Sequence, residues 1–196
     1  MKNILKILLV IINIVIILNM QSCYDKKEQK KDIQQVTKLT ATQYNDTIIG
    51  YQEKVIKKVL DFSNNFQMLD TAQRLAKLND VIDEIDNELN SIKQLPPFYG
   101  NSGLRDVAIK WLNFFRSAFD KDYREVLNLA KKPEGDITEN DIIRMNDITK
   151  KVADEELVIH KEFESVQKEF YRQFNIQGKQ NELNNQIEKS DNNKNK

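Results

Sequence analysis

Side chains suited to acid–base or metal chemistry are unevenly supplied. The chain of 196 residues carries one histidine, His160, and one cysteine, Cys23, against 30 acidic and 30 basic side chains. A di-iron centre in a helical bundle requires Glu-x-x-His pairs on two helices. Here Leu157 stands three residues before His160, and Glu156, four before it, makes a single pair. Met68, Met145 and His160 are of the right type to ligate haem, but lone residues at helical spacing pack more often than they ligate, and the CxxCH attachment motif is missing. With one histidine and no GxSxG, no nucleophile–base pair can be drawn. The carboxylates cluster in Asp83, Glu84, Asp86 and Glu88 and again in Asp154, Glu155 and Glu156, interleaved with other polar residues, and read as solvated helix faces. There is no glycine-rich phosphate loop. The sequence therefore points away from an enzyme and implies no cofactor and no metal.

The elements that must carry these residues are helices. Five glycines and three prolines leave few breaks. A first stripe at steps of three and four runs through Tyr44, Ile48, Tyr51, Val55, Val59, Phe62, Phe66 and Leu69, predicting a helix from about Val36 to Leu69. Asp70 with Gln73 forms a capping-box pattern opening a second helix on Leu75, Leu78, Ile82, Ile85, Leu89 and Ile92, with Glu88 on its charged outer face. Pro96–Pro97 ends it, because neither proline can donate a backbone hydrogen bond. After the loop Pro96–Gly103, a third helix is expected from about Leu104 to Ala130, the richest in apolar residues and therefore central. Thr138 with Asp141 opens a fourth, on Ile142, Met145, Ile148, Val152, Ile159, Phe163, Val166, Phe170 and Phe174, reaching to about Ile176. Four amphipathic helices with short joints predict an all-α, elongated, up-down four-helix bundle over residues 36–177, with a disordered polar tail at 178–196.

The first 23 residues, MKNILKILLVIINIVIILNMQSC, follow a different logic. Lys2 and Lys6 precede an Ile/Leu/Val run of about a dozen residues, the length of a signal h-region and short of the roughly 20 a spanning helix needs. Small or polar residues and Cys23 follow. The segment resembles a bacterial lipoprotein signal peptide, whose lipobox ends in a small residue and the cysteine that becomes the lipidated N-terminus. Ser22–Cys23 matches the end of that box, while Met20 and Gln21 depart from the Leu and small residue commoner before it. The resemblance implies removal of residues 1–22, acylation of Cys23, and a charged tether at 23–35, including YDKKEQKKD (Tyr24–Asp32), holding the domain off a membrane. It also implies residence in the cell envelope, at the outer membrane, on either its periplasmic or its surface face. Loss of Lys2 and Lys6 leaves a small acidic excess, unlike the basic stripe of a nucleic-acid binder, so no nucleic-acid partner is expected. Without a second cysteine the domain has no internal disulfide and depends on its apolar core. The stretch ATQYNDTIIGYQEKVI (Ala41–Ile56), followed by a proline-interrupted helix pair, is similar to a family of uncharacterised surface lipoproteins of spirochaetes and bacteroidetes, which implies location and fold but no activity.

Two surfaces stand out as candidates for binding. Phe98 and Tyr99, between prolines and glycine, either expose an aromatic tip or, as Phe98 is expected to do, plug the end of the bundle. Trp111, Phe115 and Phe119 either line a cavity for an apolar small molecule or lipid, or pack as core, the commoner outcome. The leading functional expectation is a lipid-anchored envelope lipoprotein whose bundle is a non-catalytic binding module for a protein or surface component. A cavity binding an apolar ligand is the alternative, and a structural or immunity-type role is the third.

Overall fold

A computed structural model describes residues 39–176. The signal-like segment, Cys23, the tether and the tail at 178–196 lie outside the described residues. Within them the fold is all-α, as the sequence predicts: α1 (Ala41–Asn65), α2 (Thr71–Gln94), α3 (Gly103–Ser117), α4 (Arg124–Ala130) and α5 (Glu139–Gln173). A π-helical turn, Ala118–Tyr123, joins α3 to α4 in one rod, so the helices form four rods.

Three capping boxes set the helix starts. The Asp70 carboxylate accepts from the Gln73 backbone N–H at 2.8 Å while the Gln73 amide oxygen accepts from the Asp70 N–H at 2.9 Å. Thr138 and Asp141 do the same at 3.2 and 3.0 Å, and Lys132 donates to both Asp141 carboxylate oxygens at 2.8 Å. These bonds, that from Lys132 first, hold the Asp141 carboxyl down at about 2. The third box corrects the expected start of α1. Thr40 and Gln43 cap each other at 3.2 and 2.9 Å, so the helix begins at Ala41. It also ends earlier than Leu69, at Asn65, tightening into a 3₁₀ turn over Phe66–Met68.

Cross-links fix the register of successive rods. At one pole the Tyr44 hydroxyl donates to the Pro96 carbonyl at 3.0 Å, and at the other Lys77 meets Asp61 at 2.6 Å, so α1 and α2 run antiparallel. Arg105 to the Leu95 carbonyl at 3.1 Å, Arg116 to Asp86 at 2.7 Å and Arg124 to Asn79 at 2.9 Å do the same for α2 and the third rod. Asn101–Gln173, Lys110–Glu162, Lys151–Asp122 and Arg144–Glu125 run in sequence down the third rod and back up α5. Such exposed pairs add at most about 1 kcal/mol each. The stability comes from the core they align, where Ile48, Val55, Leu78, Ile85, Ile92, Ala108 and Leu112 are fully buried. The third rod packs on all the others, the central place its apolar content predicts.

Three expectations need correction. The third helix is not uniformly α. Trp111, Phe115, Phe119, Tyr123 and Leu127 are spaced by four, and each step of four overshoots an α-helical turn by about 40°. A π turn takes an extra residue and absorbs the accumulated drift, which keeps Tyr123, Val126 and Leu127 buried. On α5, Ile142 is exposed and its place is taken by Asp141, drawn inward by the cap. Finally, Glu88 and Glu156 are not on solvated faces: both are buried, at 4% and 2% exposure.

Candidate functional site

The pole where α2 ends and α5 finishes is built around Phe98. Phe98 and Asn101 exchange two backbone hydrogen bonds of 2.9 Å, closing a two-residue turn over Tyr99 and Gly100, both with positive φ (47° and 82°). That is the geometry of a type I′ turn, which usually takes Asn or Gly at its first position. A tyrosine there is strained, since a left-handed residue with a Cβ costs about 1–2 kcal/mol. The turn separates the two aromatics. Phe98 is buried, with its ring 5.1 Å from Tyr44, 5.6 Å from Phe170 and 4.8 Å from Phe174. It is the expected plug. Tyr99 leans edge-on against Phe98 at 4.8 Å and is 87% exposed, the most exposed large apolar side chain among the described residues. Pro96, Pro97 and Gly100 are exposed beside it.

Polar groups lock this end behind the tip. Burial pushes the Tyr44 hydroxyl up to about 12, so it stays a proton donor to Pro96. The side-chain oxygen of buried Asn45 accepts from Gln167 at 2.9 Å and from the Tyr171 hydroxyl at 3.2 Å, tying the start of α1 to the end of α5. An open groove of about 380 Å³ runs beside the turn between Asn101, Gly103, Leu104 and the α5 residues Val166, Glu169 and Phe170. Space at Gly103 is tight, since an added Cβ would meet the Asn101 side-chain oxygen at 3.2 Å and displace it by a few tenths of an ångström.

Trp111, Phe115 and Phe119 are all buried in the core. Trp111 and Phe115 meet at 4.3 Å with their rings tilted by 45°, and Phe119 meets Phe62 at 6.3 Å and Tyr123 at 4.9 Å. The groove at the pole is lined by other residues.

Two buried carboxylates, Glu88 on α2 and Glu156 on α5, escaped the sequence reading. Both carboxylate oxygens of Glu156 are buried without a hydrogen-bond partner, and one oxygen of Glu88 is in the same state while its other accepts from Lys54 at 2.9 Å. Burial raises the Glu156 carboxyl above its usual range, opposed by the nearby His160. Tyr123, from the π turn, is buried, and its hydroxyl is pushed up by burial, then by the charges of Glu156 and Asp122. Burial works against a charged His160, but its bond to Glu164 at 3.3 Å prevails and raises it. The missed signal was positional: Glu156 fills the gap between Val152 and Ile159 in the apolar stripe of α5. Among the described residues no group of three His, Cys, Asp or Glu is arranged to hold a metal ion. Met68 is exposed at the far pole and Met145 is buried in the core.

No family model, curated protein or solved structure matches the chain, so no family is assigned to it.

Proposed function

We propose that the protein is a lipid-anchored lipoprotein of the cell envelope whose helical bundle is a non-catalytic interaction module. The anchor is argued from the lysine-led apolar segment ending in Ser22–Cys23. Among the described residues no helix is long and apolar enough to cross a membrane. The observation that supports an interaction role is Tyr99, kept exposed on a strained backbone directly over a closed aromatic plug. Apart from its edge-on contact with Phe98 the ring stays in solvent, and an exposed amphipathic ring is suited to a partner surface.

The anchor is tested by Cys23→Ala. A diacylglyceryl group with an amide-linked acyl chain exceeds the two-signal threshold for stable attachment, each buried CH₂ adding about 0.8 kcal/mol. The variant is expected to retain a folded bundle, to keep its signal segment, and to lack the acyl mass that the parent shows after detergent extraction. A parent protein with an intact Met1 and a free Cys23 thiol would overturn the lipoprotein reading.

A further inference from the structure

We infer that the tip Pro96–Gly100 is a membrane-contact surface, and that the partner of Tyr99 is the interface of the bilayer that carries the anchor. This rests on the lipid anchor proposed above and adds where the bundle touches. The pole displaying Tyr99 is also the pole where the domain begins: Leu39 and the Thr40 cap precede Tyr44, whose hydroxyl bonds Pro96 and whose ring meets Phe98. Residues 24–38, between Cys23 and that pole, reach at most about 50 Å fully extended. The tip is therefore confined near the bilayer at an effective concentration in the mM range, where a weak contact is populated. The chemistry of the tip suits lipid better than a charged partner. Pro96, Pro97, Tyr99 and Gly100 are exposed and uncharged, and tyrosine, apolar in its body and polar at its hydroxyl, favours the membrane–water boundary. Of the cations in the adjoining turns, Arg105 is engaged by the Leu95 carbonyl and by Asp106, while Lys93 is exposed in the last turn of α2.

The plug gives the tip its rigidity. Phe98 is fixed by three rings behind it, and the two Phe98–Asn101 bonds fix the projection of Tyr99, so the contact requires no folding of the loop.

The test uses the mature acylated chain, extracted from membranes and reconstituted into vesicles of phosphatidylethanolamine and phosphatidylglycerol, with or without brominated acyl chains. The parent has one tryptophan, Trp111, buried in the core, and supplies the reference. In Tyr99→Trp the added emission is expected to be lost on brominated vesicles, while that of the parent is unchanged. Vesicle-bound Tyr99→Trp whose added emission survives bromination would overturn the membrane contact and leave the anchor standing; the tip would then face water or a protein. A chain that does not float with vesicles and carries an unmodified Cys23 would overturn the anchor and this contact together. Unchanged far-ultraviolet circular dichroism establishes that the variant is folded.

Discussion

Phe98 and Tyr99 are adjacent and do opposite things, and substitutions should separate them. Removing a buried aromatic ring costs about 3–5 kcal/mol, so Phe98→Ala is expected to lower the denaturation midpoint strongly. Tyr99→Gly relieves a left-handed backbone strain and is expected to raise stability by up to about 1 kcal/mol, a gain that urea titration can read. A Tyr99→Gly protein no more stable than its parent would remove the argument that the turn sacrifices stability to display the ring. Glu156 makes the second prediction at this scale. Its folded-state carboxyl is raised above the ordinary 4.5, so the unfolded chain releases its proton first and stability falls as pH rises from there through the folded value. Tyr123 and Asp122 from the π turn offer no compensating positive charge, and His160 offers one only while protonated. Glu156→Gln keeps the shape and removes the ionisation. Denaturation followed across pH should show the parent losing ground to this variant through that window and matching its trend below it. Parallel curves throughout would mean that Glu156 ionises in the fold without penalty.

Helix number, the two capping boxes at Asp70 and Thr138, and the stop at Pro96–Pro97 were legible because each depends on residues close in sequence. The π turn was legible only in retrospect. Five buried residues at strict four-residue spacing look like one helical stripe, and the drift they accumulate matters only once both ends must face the same core. Buried Glu156 was illegible for a related reason: periodicity places position 156 on the apolar stripe, residue type places it in water, and only the packing of the third rod decides. Thr40 with Gln43 carries a capping pattern, but apolar Val36 and Leu39 stand before it at helical spacing and mask the boundary. The π turn predicts an uncommon tolerance. Deleting exposed Lys121 from it would leave a regular α-helix with Tyr123, Val126 and Leu127 still facing the core, whereas deleting exposed Asn113 from α3 rotates everything beyond it by about 100°. Cooperative thermal unfolding should survive the first deletion and be lost or severely weakened by the second. Equal damage from both would show that the turn has a role beyond taking up one residue.

Across the whole molecule, four rods alternate in direction and bring Leu39, the Tyr99 turn and Ile176 to one pole, while the joints at Phe66–Asp70 and Lys131–Ile137 lie at the other. The candidate surface was legible as a pair of aromatics, but its relation to the anchor was not, because the direction in which each rod runs is a tertiary fact. That arrangement has a mechanical consequence. A pull applied between residues 39 and 176 loads α1 and α5 at the same end, so their cross-bonds at Asn45, Gln167 and Tyr171 are strained first and one at a time rather than together along the helices. The bundle should peel open at low force from its anchored pole. Single-molecule extension from that pair of points should therefore give markedly lower rupture forces than extension between residues 39 and 135, which draws on the two poles in opposite directions and shears the rods along their length.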